Sequence, residues 1–377
     1  MGIQKNGLEL YLHIPFCIKK CDYCDFLSGP VTRAGQESYI YALLREIKAV
    51  SEAEKRPVDT VFIGGGTPSV LECDIMEKLL QGMKENFQFS PDAELTIEAN
   101  PGTLTKEKLE IYRKYGINRI SIGLQSPKDS ELKTLGRIHD YRQFLESYRM
   151  AREAGFSNIN VDLMFAIPGQ TYEGWIKNLR TVAEIGPEHI SAYSLIIEEG
   201  TPFSRRKLEL PDEDTEYRMY EDVAAVLREY GYHQYEISNY AREGLECRHN
   251  IGYWKRRDYL GLGLGAASLL GKKRFSNTRD MQEYMENSEF PGKIRKDQEI
   301  LCKEDEMGEF MFLGLRMTNG ISKKEFQEYF GTSVENIYGE ILEKYKKAGM
   351  LIEEQDRIFL SRPGIHVSNS IMADFLI

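Results

Sequence analysis

No stretch of this 377-residue chain approaches the roughly 18 consecutive apolar residues that a bilayer-crossing helix needs, because charge interrupts the apolar residues throughout. A membrane-spanning reading is excluded on that ground. Positive charge is also short: 49 Lys plus Arg face 59 Asp plus Glu, a net charge of −10. Nonspecific binding along nucleic acid needs a positive field that displaces phosphate counterions, so no nucleic-acid partner is expected, although a local basic patch stays open. The opening MGIQKNGLELYLHIPFC has no apolar run followed by a small-residue cleavage site, so the expectation is no secretion signal and a cytoplasmic location. Low-complexity segments are missing, as are repeats beyond a βα period. Cysteine is scarce and uneven: of six, Cys17, Cys21 and Cys24 fall within eight residues, whereas Cys73, Cys247 and Cys302 stand alone. Without an export signal, such a cluster points to metal or redox chemistry rather than a disulfide framework.

A chain of this length predicts one large domain with one or two attachments of roughly 50 to 100 residues each. Strand-like segments over 8–14, 60–64, 94–99, 119–124, 158–164 and 189–196 alternate with helical ones. Six consecutive units predict an α/β fold, a partial (β/α)6 TIM-like barrel. A doubly wound open sheet competes, but strands covered by helices on both faces should be apolar on both. Here one parity is apolar and the other polar. Leu8, Leu10, Leu12 and Ile14 oppose Glu9, Tyr11 and His13; Leu95 and Ile97 oppose Thr96 and Glu98. Ile120, Ile122 and Leu124 oppose Ser121, Gly123 and Gln125; Ile159, Val161 and Leu163 oppose Asn160, Asp162 and Met164. With the apolar parity under the helices, Tyr11, Glu98, Gln125 and Asp162 point inward and are expected together near the C-terminal strand ends, where barrel sites are built.

Beyond Pro202 the pattern changes. One helix is expected over 213–231, followed by HQYEISNYA and the Gly-rich YLGLGLGAASLLGKKRF as antiparallel strands at the sheet's edge. The last stretch reads as a helix MGEFMFLGLRM, a helix from a capping box at Ser322 and Glu325, a longer one from a capping box at Thr332 and Glu335 that ends at Gly349, and a hairpin LIEEQDRIFLS. Together they make a winged-helix-like module. Nine Lys plus Arg stand against thirteen Asp plus Glu over 301–377, so DNA binding by it is not expected. The boundaries expected are a barrel core over 1–232, a sheet extension over 233–295 and the C-terminal module over 296–377.

Cys17, Cys21 and Cys24 form C-x3-C-x2-C directly after the first strand. Thiolates at that spacing suit three irons of a cuboidal [4Fe-4S] cluster, leaving the fourth iron open. The alternative is zinc, completed by His13 or a distant histidine, although zinc sites commonly pair two C-x2-C knuckles and this loop has one. Gly64, Gly65 and Gly66, with Thr67 and Pro68, follow the second strand; three glycines let backbone approach a ligand closely, or form a tight βα turn.

The cysteine spacing, with an aromatic residue (Tyr23) before the last cysteine, resembles the radical S-adenosylmethionine superfamily. That resemblance implies that the methionyl amine and carboxylate of S-adenosylmethionine chelate the open iron, and that one electron from the cluster cleaves the sulfonium to methionine and a 5′-deoxyadenosyl radical. It also implies cofactor-contact roles for Tyr11, Tyr23, Gly65, Gly66, Thr67, Glu98, Gln125, Arg137 and Asp162, four of which strand parity selects on its own. YLHIPFCIKKCDYCDF, GGGTPS, IEANPGT, ISIGLQS, LGRIHD, VDLMFAIPGQT, YSLIIEEGTPF, HNIGYW and EFMFLGLRMTNGI narrow the likeness. Together they resemble the family that holds the oxygen-independent coproporphyrinogen III oxidase and the HemW-type haem chaperones. The oxidase branch carries a further cysteine where Phe26 stands, and a long extension where sixteen residues precede Cys17. Both departures favour the chaperone branch.

His249, Asn250, Tyr253 and Trp254 match that branch's H-N-x-x-Y-W motif. An imidazole suits haem iron and flat rings pack a macrocycle, whereas the plain reading is a strand terminus with a buried Trp and a hydrogen-bonded His. The resemblance implies haem near this segment with the axial ligand open. Cys247 reads as an ordinary buried thiol, and His13, His139, His189, His233 and His366 have no assigned role. The expected partners are haem, acceptor haemoproteins and a low-potential electron donor of flavodoxin or ferredoxin type. Oxidative decarboxylation of coproporphyrinogen III is the second reading, and a zinc-stabilised binding module the third.

Overall fold

The computed structural model describes residues 7–376, so the first six residues of the opening segment and Ile377 lie outside it. The expected alternation forms six parallel strands in chain order: β1 (Leu8–Ile14), β2 (Val58–Gly65), β3 (Phe89–Ala99), β4 (Arg119–Gln125), β5 (Ile159–Phe165) and β6 (His189–Ser194). Their apolar parity lines up across the sheet, with Leu12 opposite Ile63, Ile63 opposite Ile97, Ile97 opposite Ile120 and Ile120 opposite Ile159. All five are fully buried beneath the helices. The helix Arg33–Ala53 turns Ile40, Leu43, Ile47 and Val50 onto this layer, and Cys73–Asn86 turns Ile75, Met76, Leu79 and Met83, at the three-to-four spacing of one helical face. Side-chain caps fix where the helices begin. Thr32 accepts from the Gly35 N–H and Thr105 from the Lys108 N–H, while Asp140 and Gln143 form a capping box, each cap contributing about 1 kcal/mol.

The sheet is larger than six strands and stays open. Its order is β12-β11-β10-β9-β1-β2-β3-β4-β5-β6-β8-β7, with β7 (His233–Gln234), β8 (Asn239–Ala241), β9 (Tyr259–Leu262), β10 (Ala267–Leu270), β11 (Lys273–Asn277) and β12 (Arg295–Ile300). Two expectations are corrected here. The added strands sit at both edges rather than one, and β9 pairs with β1 in parallel, so only the strands after it are antiparallel on that side. The helix expected over 213–231 is divided into Glu213–Glu221 and Val223–Arg228 at Asp222, whose carboxylate accepts from the Tyr172 hydroxyl at 2.6 Å.

The C-terminal stretch builds its own apolar cluster from Met311, Ile321, Phe326, Val334, Tyr338, Leu342 and Ile358. Helices Lys303–Gly314, Lys323–Phe330 and Val334–Lys347 pack with a three-stranded sheet of β13 (Ile321–Ser322), β15 (Arg357–Leu360) and β14 (Leu351–Glu354), the last two being the expected hairpin. Ser322 caps its helix by accepting from the Glu325 N–H, which is one half of the capping box expected there. The next helix starts one residue later than the Thr332 box predicts, because the Ser333 hydroxyl accepts from the Asn336 N–H. Among the described residues no helix is long and apolar enough to cross a membrane.

Candidate functional site

The loop after β1 is held by its backbone. The Cys17 N–H donates to Gly29 O at 3.0 Å, Asp22 N–H to Leu135 O at 3.2 Å and Cys24 N–H to Cys21 O at 3.2 Å. Cys17, Cys21 and Cys24 are free thiols, and all three line one cavity of about 390 Å³. Its other walls are the polar parity of the parallel strands together with the glycine loop, and they include Tyr23, Gly65, Gly66, Thr67, Glu98, Gln125, Arg137 and Asp162.

Tyr11 is the exception. Its hydroxyl lies 3.0 Å from His13 Nδ1 and its ring lines a neighbouring cavity, so it stands behind the glycine loop. His13 Nε2 donates to Leu27 O at 2.9 Å, which leaves Nδ1 to accept from Tyr11. With both ring nitrogens committed, His13 cannot complete a zinc site. Among the described residues no three His, Cys, Asp or Glu side chains are gathered tightly enough to hold a single ion. Three thiols spread along one cavity wall suit a polynuclear cluster, whose irons each take one thiolate, better than a closed tetrahedral ion.

The glycine run is explained largely within the chain. A Cβ on Gly66 would fall on the Phe16 carbonyl, one on Gly64 on the Glu98 carboxylate and one on Gly65 on the His13 ring, and Gly65 has φ of +107°. Gly66 N–H donates to Ile14 O at 2.9 Å and Thr67 N–H to Phe16 O at 2.6 Å. The bare glycines let β2 approach the backbone that leads into Cys17, while Gly65 and Gly66 also line the cysteine cavity.

Glu98 accepts from the Gly65 N–H at 3.1 Å, and burial followed by the nearby Asp162 pushes its carboxyl up to about 8. Asp162 is also pushed up, by burial, although Asn160 donates to it at 2.7 Å. Gln125 sits at φ of +72° and accepts from the Tyr193 hydroxyl at 2.7 Å. Arg137 is not a solvated helix-end charge. It donates to Asn100 Oδ1 at 2.7 Å and Gly123 O at 2.5 Å, comes within 3.5 Å of Cys21 Sγ, and keeps a buried Nε without a partner. Asn100 in turn donates to the Thr67 hydroxyl at 2.8 Å, so cysteine loop, glycine loop and Arg137 form one hydrogen-bonded wall.

The H-N-x-x-Y-W residues lie on a short helix, Arg248–Trp254, rather than at a strand terminus. His249, Asn250, Tyr253 and Trp254 all line a second, largely apolar cavity of about 460 Å³ together with Tyr11, Phe62 and Tyr259; Phe62 and Asn250 line both cavities. The His249 ring stacks on Phe62 (centroids 5.3 Å apart) and meets Tyr253 edge-on at 4.7 Å. Its Nδ1 lies 2.7 Å from the Thr60 hydroxyl, and its Nε2 is buried without a partner. Burial, then Arg119, pushes this imidazole down to about 3, so it is neutral. Cys247 is the buried thiol expected, pushed up to about 12 by burial.

Sequence reasoning missed Thr60 and Glu94. The Glu94 carboxylate accepts from the Arg248 N–H at 3.1 Å and the His249 N–H at 3.2 Å, capping the motif helix. Both residues share the inward parity of β2 and β3 with Phe62 and Glu98, so following that parity back along each strand, one step from Phe62 and two from Glu98, would have found them.

Residues 11–182 match the radical SAM superfamily and residues 301–367 the HemN C-terminal domain. The chain is 36% identical over 372 residues to the heme chaperone HemW of Bacillus subtilis (strain 168), covering 97% of this chain and 98% of the relative. It is 37% identical over 379 residues to heme chaperone HemW of Lactococcus lactis subsp. lactis (strain IL1403), covering 100% and 98%. With heme chaperone HemW of Escherichia coli (strain K12) the figures are 36% over 384 residues, 99% and 99%. Among solved structures, coproporphyrinogen III oxidase (HemN) from Escherichia coli superposes with a TM-score of 0.87 at 24% identity, covering 98% of this chain and 90% of that one, a likeness of fold.

Proposed function

Because this chain belongs to the HemW family within the radical SAM superfamily, we propose that it is a haem chaperone, which binds haem and hands it to acceptor haemoproteins. One observation carries the reading: all four named residues of the H-N-x-x-Y-W motif share one aromatic cavity, which adjoins the cysteine cavity across Phe62 and Asn250. Haem is the cargo of this second cavity. His249 is the iron ligand, since its Nδ1 is held by Thr60 while Nε2 is neutral, buried and free. Tyr253 and Trp254 pack the macrocycle, and Asn250 borders both chambers.

In the first cavity, Cys17, Cys21 and Cys24 hold the [4Fe-4S] cluster. When bound, the cluster offers an open iron and one electron to S-adenosylmethionine. Tyr23, Gly65, Gly66, Thr67, Glu98, Gln125, Arg137 and Asp162, which line that cavity, bind and orient the cofactor in this reading, with Tyr11 acting behind them through His13. The electron comes from a low-potential donor of flavodoxin or ferredoxin type. Exposed Ile18 and Phe26 with Lys19 and Lys20 beside the cysteine loop give an acidic donor a place to dock. We divide the work along the chain into a cofactor core over 1–232, a haem-motif extension over 233–295 and a module over 296–377 that adds Leu313 to the haem cavity. All six cysteines are unpaired, as suits the reducing cytoplasm where we place the protein.

The test pairs two assays on anaerobically reconstituted protein. Haem transfer to an apo-acceptor is expected, impaired by His249→Ala with Trp254→Ala while the cluster stays intact. Coproporphyrinogen III is expected to remain unconverted with S-adenosylmethionine and a low-potential reductant present. Sustained conversion with release of carbon dioxide would instead move the protein to the oxidase reaction.

A further inference from the structure

A third cavity, of about 260 Å³, shares two wall residues, Trp254 and Arg256, with the aromatic one. Its lining is basic in a chain of net charge −10. Lys255, Arg257 and Arg357 line it without an ion pair among the described residues, and its one carboxylate is Glu325. The same segment carries unanswered donors. Trp254 Nε1, Arg256 Nη2 and Arg257 Nε are all buried with no hydrogen-bond partner. A buried donor with nothing to accept from it is destabilising, and an incoming acceptor relieves that cost. Arg256 is also held at φ of +52°, directly after the motif helix, where glycine is the usual residue. Its guanidinium is fixed there by Glu309 at 2.7 Å and Glu306 at 3.4 Å. Cations at the end of a helix also suit its dipole. That explanation leaves out Arg357, which comes from β15 in the C-terminal sheet, and it does not answer the orphaned N–H groups.

We infer that the third cavity is a carboxylate pocket that takes the propionate side chains of a tetrapyrrole whose ring lies in the aromatic cavity. The inference rests on the haem reading above and adds how the ring is oriented and which tetrapyrroles are accepted. Guanidinium groups suit this task because their paired N–H groups match both carboxylate oxygens. Lys255, Arg257 and Arg357 outnumber the one carboxylate of the lining, which leaves positive charge for propionates to neutralise. An apolar macrocycle alone would need no such charges beside it.

The test compares iron protoporphyrin IX with its dimethyl ester, which keeps the ring and removes both carboxylates, by absorbance titration of the full, cluster-loaded protein. The native chain should bind the free acid at least about tenfold more tightly than the ester. Arg257→Gln with Arg357→Gln should weaken the free acid toward the ester while leaving the ester unchanged, and Arg257→Lys with Arg357→Lys should recover part of the difference. Equal binding of the two haems by the native chain, a comparison that needs no variant to fold, would overturn the carboxylate pocket. Failure of the haem reading looks different: His249→Ala with Trp254→Ala would then leave the binding of both haems untouched.

Discussion

The Thr60 hydroxyl stands 2.7 Å from Nδ1 of His249, joining the inward face of β2 to the helix that carries the H-N-x-x-Y-W motif. One strand over, its register partner Glu94 caps that helix, so two neighbouring strands of the sheet hold the helix at two points. The imidazole is turned and neutral before any ligand arrives, and its remaining nitrogen has no competing partner within the protein. A preset imidazole loses little freedom when it binds, which is how a second residue tunes a ligand it never replaces.

Thr60→Val keeps the shape of the side chain and deletes the hydroxyl. One buried hydrogen bond is worth about 1 kcal/mol, so haem affinity should fall about three- to tenfold with iron and sulfide content unchanged. Thr60→Ser should restore most of it. Absorbance titration reads this directly, and an affinity for haem unaltered by the Val variant would remove Thr60 from the site.

The parity of β1, β3, β4 and β5 was legible because each of these strands is apolar on the helix side and largely polar on the inner side, and that contrast is local in sequence. It brought Glu98, Gln125 and Asp162 to one cavity, as expected. Tyr11 shares the inward parity and still misses that cavity, because its hydroxyl is taken by His13. Parity fixes a face but not what a neighbour two residues away will bind. The glycines were legible as a close approach, but its object was not. Phe16 and Gly66 are fifty residues apart, and only the pairing of β1 with β2 shows that a Cβ at 66 would meet the Phe16 backbone. The two-sided placement of the later strands was invisible for the same reason. Tyr259–Leu262 reads as an edge strand, and nothing local tells it to run parallel beside β1.

Gly66→Val and Asp162→Ala should therefore behave differently. The valine would displace the backbone before Cys17, lowering both bound iron and S-adenosylmethionine affinity. Asp162→Ala alters the cavity floor away from the cysteine loop, so it should weaken the cofactor and spare the cluster. Iron and sulfide analysis with calorimetry on loaded protein separates these outcomes. A fully loaded Gly66→Val cluster would show that the loop tolerates the shift.

Cys17→Ala, Cys21→Ala and Cys24→Ala should each strongly reduce the roughly four irons and four sulfides per chain expected after reconstitution. Cys73→Ala and Cys302→Ala should not. Cys247→Ala tests burial rather than ligation. Its thiol packs fully buried against Glu94, so the change should lower the melting temperature slightly and leave iron alone. Stoichiometric zinc in place of iron would refute the cluster.

Glu98 makes stability depend on pH with a definite sign. Burial, then Asp162, raises its carboxyl from the ordinary 4.5 to about 8. Below about 4.5 the group is protonated in both folded and unfolded chains, and its contribution is fully present. Between 4.5 and about 8 the folded chain keeps a proton that the unfolded chain has released, so stability falls as pH rises, at up to about 1.4 kcal/mol per unit. Above about 8 that loss is complete. Glu98→Gln removes this titration while keeping an oxygen to accept from the Gly65 N–H, and Asp162, raised in the same direction, remains in both proteins. The melting temperature of the variant relative to the native chain should therefore be higher at about pH 9 than at about pH 5.5. Parallel melting curves across that range would mean that Glu98 is ionised in the folded chain throughout it.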